Sequence, residues 1–440
     1  MSPSPPTRLD HSTAAPRPAG ATDPRDRLAV LLARGTRWTI RATRCGTGST
    51  LPGRLAERVA PGVLGRATRE LRPIVLVSAT NGKTTTTALI TAALRAAGHE
   101  VVTNSSGSNL RRGLTTAALC RRDGRADCAV LEVDEATLPT VVDELDPDML
   151  VLLNLSRDQL DRYHEVHSIA SRWRAAAGRL RPGATVVAVD HDPLVCHVAQ
   201  AAPESVTLGL AGARPGRDAA GCPECGELLH FREGRPSCPA CGWRPPPRQV
   251  RVERDSHAVL LEGLGGGAEA TVPVPSPGYA TDVAAAWTAA VRLGVPGAVA
   301  IRAISGVELV EARYAEVAWR GRTVRLLLAK NPAGWDDALA AMAGDRRPVV
   351  VSVNSGIPDG RDPSWIWDAD VAALRGRPLV VATGARAEDV AMRMLVAGLD
   401  PVVERRLEQA LLAAAGEGEA IDLLADYTSF QTARRLIGDG

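Results

Sequence analysis

The chain has 440 residues, which is enough for two or three domains, and 45% of them are hydrophobic, so a large core can be buried. Its net charge of +2 is too close to neutral to indicate a nucleic-acid-binding protein. No apolar run approaches the roughly 18 residues that a membrane span needs, and the N-terminus lacks the apolar stretch of a signal peptide.

The N-terminal part is predicted to hold a disordered tail followed by two helices. Residues 1–24 are rich in Pro, Ala and Ser, which is typical of a disordered segment. Helical spacing follows at residues 25–44, where the helix has a basic face, and again at residues 54–71.

An alternation of strands and helices comes next. Residues 73–78 form a continuous apolar run, as expected for a buried parallel strand, and residues 85–97 have the pattern of a helix that stops at Gly98. The further elements predicted in this part are strands at 128–133, 149–154 and 184–190 and a helix at 169–180. This alternation predicts a parallel sheet with helices on both faces.

Two domains and an insertion follow from the rest of the pattern. Residues 211–248 interrupt the alternation because they are rich in Gly, Pro and Cys, and a second alternation begins at residue 323, including a helix after Trp365. The predicted parts are a tail (1–24), a central domain (25–315) with an insertion at about 218–247, and a smaller α/β, Rossmann-like domain (316–440).

A phosphate-binding loop is predicted directly after the first buried strand, in the sequence ATNGKTT at residues 79–85. Gly82 allows the backbone to approach phosphates, and the amides at the start of the next helix provide positive potential. The motif is shorter than the full G-x-x-x-x-G-K-[ST] pattern, because Val77 stands where the first Gly would be. The predicted nucleotide contacts are Thr80, Asn81, Gly82, Lys83, Thr84 and Thr85.

Lys83 is one of only two lysines, with Lys330, in a chain whose other basic residues are arginines. A compact ammonium fits a tight phosphate site in a way that a planar guanidinium does not, so we expect Lys83 to contact the phosphates and to act in catalysis. Thr84 and Glu132, which ends the next strand, are the predicted Mg²⁺ ligands, with Glu135 as a further candidate. The alternative is that Glu132 is an exposed acidic strand end.

Four cysteines have the spacing of a structural zinc ribbon. They form two C-x-x-C pairs separated by twelve residues, and each pair is followed by Gly: Cys222, Cys225, Cys238 and Cys241. Four thiolates suit tetrahedral Zn²⁺ in a closed site, which gives the metal no catalytic role. A redox pair is the alternative, and two tandem pairs argue against it.

These residues resemble the Mur ligases, which join amino acids to peptidoglycan precursors. The loop ATNGKTT is similar to their phosphate loop, and residues 154–162 (NLSRDQLDR) resemble their next segment, which adds Asn154 and Asp158 to the nucleotide site. Mur ligases carry His where this chain has Gln159, and a carbamylated Lys near Arg172 or Trp173. Both departures argue against ordinary amino-acid ligation.

One branch of the family, the MurT subunits of lipid II isoglutaminyl synthase, fits the departures better. The four-Cys ribbon, the segment AKNPAGW at 329–335 and the segment DGRDPSWIWD at 359–368 carry this resemblance, whereas residues 279–282 (YATD) depart from a usual Tyr-Asn motif. The resemblance to MurT subunits implies a Mur-ligase-like central domain and ATP-dependent amidation of the D-glutamate α-carboxyl of lipid II. The cofactors that it implies are ATP, Mg²⁺ and structural Zn²⁺.

The resemblance also implies a heterodimer with a GatD-like glutaminase, because no Cys-His arrangement with a glutaminase context is evident in this sequence. An Asp of the C-terminal domain completes the partner's catalytic triad in that family, and Asp359 and Asp362 are both candidates. Asp362 has an alternative role as the cap of a helix that starts at Pro363. The terminal 426–430 stretch is a further candidate for the substrate cleft.

A cytoplasmic protein at the inner face of the membrane is the implied location, and contact of the basic N-terminal helix with that surface stays open. Two other functions also stay open: an amino-acid ligase of the Mur or folylpolyglutamate class, and a non-catalytic scaffold that binds ATP to regulate a partner. A nucleic-acid-binding role for the ribbon is disfavoured by the weak basic excess.

Overall fold

The computed structural model describes most of the chain beyond the predicted tail. The residues described are 23–43, 48–104, 108–121, 126–157, 166–213, 218, 220–255, 257–271, 276–307, 314–344, 346–356, 359–360, 362–416 and 418–438. Within these residues, every helix is too short or too polar to cross a bilayer.

Three helices precede the first sheet: α1 (Pro24–Thr43), α2 (Leu51–Val59) and α3 (Val63–Thr68). The single helix predicted at residues 54–71 is therefore wrong, because it is broken between α2 and α3. Pro61 has no amide hydrogen to donate, and Gly62 adopts a left-handed conformation with φ of 73°, which an ordinary helix does not allow.

The first sheet has nine strands in the order β11-β10-β9-β6-β5-β4-β1-β3-β2. Its strands are β1 (Ile74–Ser78), β2 (Val101–Thr103), β3 (Cys128–Glu132), β4 (Met149–Leu152), β5 (Thr185–Val189), β6 (Glu204–Leu210), β9 (Arg248–Arg254), β10 (Ala258–Gly263) and β11 (Gly266–Thr271). The seven strands from β2 to β9 in this order pair in parallel, and β10 and β11 form an antiparallel extension. The predicted parallel sheet is confirmed.

Seven helices accompany this sheet: α4 (Lys83–Ala96), α5 (Arg111–Leu119), α6 (Leu138–Leu145), α7 (Val166–Ala177), α8 (Pro193–Ala199), α9 (Pro277–Arg292) and α10 (Gly297–Ser305). Every residue of β1, β4 and β5 is buried, since helices cover both faces of a parallel sheet. The short strands β7 (His230–Arg232) and β8 (Arg235–Ser237) form a separate hairpin in the four-Cys insertion.

The second sheet has six strands in the order β12-β13-β17-β14-β15-β16. They are β12 (Tyr314–Trp319), β13 (Arg322–Leu328), β14 (Val349–Ser352), β15 (Val380–Thr383), β16 (Val402–Val403) and β17 (Ala420–Ala425), and all pairs except β12 with β13 are parallel. The accompanying helices are α11 (Pro332–Ala341), α12 (Ala387–Val396), α13 (Leu407–Ala415) and α14 (Tyr427–Gly438). The limits predicted for the domains stay a prediction.

The helix expected after Trp365 is absent. Two short 3₁₀ turns, Ser364–Trp367 and Val371–Leu374, stand in its place. The first turn buries Ile366, and the second buries Val371 and Leu374, so each turn contributes one or two side chains to the core rather than the continuous apolar face of an α-helix.

Candidate functional site

The predicted phosphate loop lies between β1 and α4 at the carboxyl edge of the first sheet, as the sequence indicated. The segment after β4 holds it by paired hydrogen bonds: the Asn81 amide donates to Asn154 Oδ1 over 2.9 Å, and Asn154 Nδ2 donates to the Asn81 carbonyl over 3.0 Å. Thr80 Oγ1 donates to the Ser156 carbonyl over 3.1 Å and accepts from the Ser156 amide over 2.9 Å. Asp158 lies outside the described residues.

Gly82 is required by the helix that packs against the loop. Its φ is 89°, and a Cβ at this position would lie 2.2 Å from Oδ1 of Asp282 on α9 and 3.0 Å from the side chain of Leu153. Asp282 is buried beside the loop, in the segment where the sequence departs from the usual Tyr-Asn motif. Burial, with a smaller contribution from Asp282, raises the pKa of neighbouring Tyr279 to about 12.

Lys83 is the first residue of α4, and its ammonium points back into the loop. It is buried and forms an ion pair with Glu135, with 3.2 Å between Nζ and Oε1. It also donates to the carbonyls of Ala79 and, over 3.4 Å, of Thr80. The amides at the start of α4 and this ammonium are the hydrogen-bond donors that phosphate oxygens would meet at the loop.

Thr84 and Glu132, the two predicted Mg²⁺ ligands, are in contact. Thr84 Oγ1 donates to Glu132 Oε2 over 2.8 Å at the exposed rim of the loop. The side-chain amides of Asn104 and Asn109 orient Glu132. That of Asn104 binds the backbone amide and carbonyl of Glu132, and Asn109 Nδ2 donates to Glu132 Oε1 over 3.3 Å. An exposed hydroxyl beside a carboxylate is a donor set that Mg²⁺ accepts. Thr85 follows in the first turn of α4 and is partly buried.

Arg172 and Trp173, near which the resemblance to Mur ligases implied a lysine position, contact the segment that follows β3. Trp173 on α7 is 1% exposed and donates from Nε1 to the Glu135 carbonyl over 2.7 Å, and Arg172 donates to the Ala136 carbonyl over 3.0 Å. Helix α7 therefore fixes the backbone of Glu135, whose carboxylate contacts Lys83. Neither side chain offers the amine that carbamylation needs.

The two aspartates left open by the sequence have different surroundings. Asp359 is buried, and its two carboxylate oxygens accept from the amide of Thr428 over 2.8 Å and from its hydroxyl over 2.6 Å. Asp362 is exposed and accepts from the amide of Ser364 over 2.9 Å, which lowers its pKa. Asp362 thus accepts hydrogen bonds from the amide and the side chain of Ser364 at the start of the first 3₁₀ turn, where it lies at the surface.

The two tryptophans of this turn face opposite ways. Trp365 packs edge-on against Trp335 of α11, with ring centroids 6.0 Å apart. Trp367 is 51% exposed, with the guanidinium of Arg393 lying 5.7 Å from its ring centroid. Trp365 therefore packs against the body of the C-terminal part, whereas Trp367 lies at the surface.

A cavity of about 380 Å³ opens at the carboxyl edge of the second sheet. Ser352, Asn354, Thr428 and Ser429 line it together with Arg405. Asp426 lies behind this lining and accepts from the side-chain amide of Asn354 over 3.0 Å and from the amide of Ser429 over 3.0 Å. Burial raises the pKa of Asp426. The 426–430 stretch thus contributes to a polar cleft.

Two contacts join the surroundings of the phosphate loop to the C-terminal part. Asn81 and Asn331 form a reciprocal amide pair, with 3.2 Å for each hydrogen bond. Arg157, which follows Ser156, binds Asp368 at the end of the first 3₁₀ turn over 3.2 Å and Asp218 over 2.5 Å. The contact of Asn331 with the phosphate loop was not predicted from the sequence, although the place of Asn331 in the AKNPAGW segment indicated a functional residue.

The four predicted zinc ligands converge. Their Sγ atoms all lie within 4.8 Å of one another, and the closest approaches are 3.5 Å between Cys225 and Cys238 and 3.7 Å between Cys222 and Cys241. Zinc–sulfur bonds of about 2.3 Å in a tetrahedron place sulfurs about 3.8 Å apart, so the set fits Zn²⁺. Backbone amides, above all that of Cys241, lower the pKa of Cys238 to about 7.

The insertion is fixed to the central sheet by charge and by packing. Asp190, at the end of β5, is completely buried and pairs with Arg248 over 2.7 Å and with Arg235 of the hairpin over 3.2 Å. Trp243 donates to the side chain of Gln200 over 2.8 Å. The ribbon is therefore held rigidly against the sheet edge, which suits a structural metal site.

Comparison with known proteins identifies both halves. The Mur ligase middle domain matches residues 77–219, and the MurT ligase C-terminal domain matches residues 328–430. The MurT subunits of lipid II isoglutaminyl synthase (glutamine-hydrolyzing) from Staphylococcus aureus and Streptococcus pneumoniae are each 28% identical. The first aligns over 82% of this chain and 85% of its own, the second over 93% and 96%.

Among solved structures, a pseudomurein peptide ligase type C from Methanothermus fervidus has the same fold, with a TM-score of 0.67 at 18% identity over 83% of this chain and 78% of its own. The resemblance predicted from the motifs is thus confirmed, because residues 77–219 match a Mur ligase middle domain and residues 328–430 match the C-terminal domain of MurT ligases. The predicted α/β Mur-ligase fold is confirmed as well.

Proposed function

We propose that this chain is the ATP-dependent synthetase subunit of an enzyme that converts the D-glutamate of lipid II to D-isoglutamine during peptidoglycan synthesis. The observation that carries the proposal is the convergence of Lys83, Thr84 and Glu132 at one sheet edge, in a chain similar along most of its length to MurT subunits. Similarity to MurT indicates the substrate, and the loop geometry indicates how ATP is used.

Amidation of a carboxylate needs a leaving group better than oxide. The α-carboxylate oxygen attacks the γ-phosphorus of ATP, ADP leaves, and an acyl phosphate forms; ammonia then attacks the acyl carbon, phosphate leaves, and the nitrogen loses a proton. The work of the protein is to position these groups and to stabilise charge on the transferring phosphoryl group.

Lys83 and the first amides of α4 would bind the β- and γ-phosphates, since they form the positive end of the loop. Thr80, Asn81 and Asn154 hold the loop backbone in the shape that allows this approach. Thr84 and Glu132 would hold Mg²⁺, which neutralises phosphate charge when bound.

Substitution of Lys83 tests this part. Lys83→Ala should reduce ATP-dependent amidation of lipid II by at least about 100-fold, the usual scale for a lost phosphate clamp, whereas Arg95→Ala, an exposed residue on the same helix, should leave it unchanged. Amidation by Lys83→Ala at the wild-type rate would contradict the proposed phosphate contact.

A glutaminase partner of the GatD type would supply ammonia, and we propose that Asp362 rather than Asp359 completes its triad. Asp362 is exposed and is held through neighbouring Ser364, whereas Asp359 is buried and both of its oxygens accept hydrogen bonds from Thr428. Arg157 and Trp335 anchor the turn that Asp362 begins, through Asp368 and Trp365.

The two aspartates can be separated by the nitrogen donor. In the complex with the partner, Asp362→Asn should lose amidation with glutamine and keep it with ammonium chloride. Asp359→Asn should weaken both donors equally, because it loosens the start of α14. Equal loss with both donors in Asp362→Asn, or selective loss of glutamine use in Asp359→Asn, would contradict the assignment.

Amino-acid ligation is a second candidate function, because the Mur fold supports it. The side chains at Arg172 and Trp173 argue against it, since neither offers an amine. Incubation with lipid II, ATP and labelled amino acids, set beside labelled ammonia, distinguishes the two, and we expect label only from ammonia.

A further inference from the structure

Helix α1 presents several of its large apolar side chains to solvent, while Val30 and Ile40 are partly buried. Its inward face is built from Ala29 and Ala33, which are completely buried against a small cluster that includes Ala56, Val63 and Leu119. A helix whose stability came only from packing on the body would place its largest apolar residues there.

The outward face carries those large residues instead. Leu28, Leu31 and Trp38 are 49%, 69% and 73% exposed. At 100° per residue these positions lie within about 80° of one another and opposite the two buried alanines. Gly35 and Ala42 complete the stripe. Contiguous exposed apolar faces of this kind mark interaction surfaces.

Polar contacts hold the helix in this orientation, so the exposed face is not a loosely docked one. Arg66 forms a bidentate pair with Asp26 at 2.7 and 2.8 Å. Arg34 donates to the carbonyl of Leu119 over 3.1 Å. The two alanines and these bonds fix the rotation of α1, and the outward stripe follows from it.

Basic residues flank the stripe. Arg27 and Arg41 lie along one edge and Arg25 along the other, all exposed. Asp26, the acidic residue of α1, turns inward to Arg66 and does not face the surface. An apolar stripe with Leu and Trp, bordered by arginines, matches a helix that lies in the headgroup region of an anionic bilayer.

We propose that the outward face of α1 binds the surface of an anionic lipid bilayer, with Leu28, Leu31 and Trp38 inserted among the acyl chains and the flanking arginines against lipid phosphates. The biological reason rests on the proposed function, because lipid II is a membrane substrate. The binding itself requires neither ATP nor a partner. The competing occupant is a protein subunit, which would cover the same apolar stripe.

The test uses the full chain and flotation with vesicles of phosphatidylcholine containing about 30% phosphatidylglycerol, the anionic component that such helices recognise. We expect binding that falls steeply with added salt and that is much weaker on pure phosphatidylcholine. Leu31→Ser/Trp38→Ser should weaken binding by at least about tenfold, since two exposed apolar side chains that would insert into the bilayer are lost. The matched control is Met392→Ser/Leu395→Ser, an apolar pair on α12 that is 55% and 53% exposed, which should bind as the wild type does.

A second measurement locates the contact. Brominated lipids should quench part of the tryptophan fluorescence of the wild type, and Trp38→Phe, which keeps the apolar contact, should bind normally while losing that part. Absence of vesicle binding, or equal loss in both double variants, would overturn the proposal. So would a Leu31→Ser/Trp38→Ser variant that binds vesicles normally but no longer binds the glutaminase partner.

Failure of this proposal is distinct from failure of the proposed function. Amidation of lipid II in detergent micelles reports on the synthetase activity without a bilayer. We expect the Leu31→Ser/Trp38→Ser variant to retain that activity in micelles and to lose at least about fivefold on lipid II embedded in vesicles, as membrane recruitment weakens.

Discussion

The ion pair between Lys83 and Glu135 links the stability of the central domain to nucleotide binding. Both side chains are about nine-tenths buried, 3.2 Å apart. At that distance the attraction is about 5 kcal/mol for an effective dielectric constant of about 20. Removing one member of a buried pair costs about 3–5 kcal/mol, because the other charge is left without compensation.

Glu135→Gln should therefore destabilise the nucleotide-free protein by about 3 kcal/mol, at the lower end of that range. The lower end is expected because Lys83 would still donate hydrogen bonds to the carbonyls of Ala79 and Thr80. For a domain of this size the melting temperature should fall by about 6 °C. ATP phosphates would supply the missing negative charge, so saturating MgATP should raise the melting temperature of Glu135→Gln more than that of the wild type.

Two further variants make this experiment specific. Glu132→Gln alters a neighbouring carboxylate whose partner, Thr84, is uncharged and exposed, so it should cost less than about 1 kcal/mol, and MgATP should stabilise it less than the wild type. Lys83→Met/Glu135→Gln removes both charges and should be at least as stable as Glu135→Gln alone. Differential scanning fluorimetry reports all of these, and an ATP-induced shift in Glu135→Gln no larger than in the wild type would refute the reasoning.

Three other predictions concern stability. Burial raises the pKa of Asp192 to about 6, so the folded state holds the proton of this carboxyl more tightly than the unfolded state does. The contribution of this proton to the free energy of unfolding, about 3 kcal/mol, is lost as pH rises from about 4 to about 7. Urea unfolding of the wild type and of Asp192→Asn across that range should show the stability of the wild type, relative to the variant, falling by this amount. Asp422 is completely buried between Arg325 and Arg377, and Asp422→Asn should lower the free energy of unfolding by about 3–5 kcal/mol while ATP binding persists, measured by denaturant titration and calorimetry. Cys238→Ser should abolish stoichiometric zinc in elemental analysis and expose residues 218–247 to proteolysis, and unchanged zinc content would contradict the four-thiolate site.

Local features of this fold were accessible from the sequence because short-range physics determines them. The buried strand, the Gly at a left-handed position and the helix that starts at Lys83 follow one another within residues 73–97, so their order predicts the loop. Glu132 was found because it ends a neighbouring parallel strand, and such strand ends share an edge. The four cysteines needed only their spacing.

Long-range contacts could not be predicted in the same way. Asn331 meets Asn81 across 250 residues, and no local pattern encodes that pairing. The contact of Asp282 with Gly82 is also between residues far apart in the chain, and no local pattern encodes it. The distinction between Asp359 and Asp362 depends on Thr428, which a chain separation of 69 residues hides. The break between α2 and α3 was predictable from local sequence, because Pro61 and Gly62 are both unfavourable within a helix. The prediction of one helix at 54–71 was wrong because it followed the helical periodicity on either side of these two residues.

The position of Trp173 explains how a Mur-type scaffold can keep its phosphate loop without the lysine that Mur ligases carry. Trp173 and Arg172 bind consecutive backbone carbonyls, at Glu135 and Ala136, so α7 fixes the segment that follows β3. That segment presents the carboxylate of Glu135 to Lys83. Helix α7 thus orients the ion pair of the loop through contacts with the backbone of Glu135 and Ala136, and its side chains at 172 and 173 contribute no amine. In the function proposed above, the phosphate loop would keep its chemistry, because Lys83 stays paired with Glu135 and Thr84 stays bonded to Glu132.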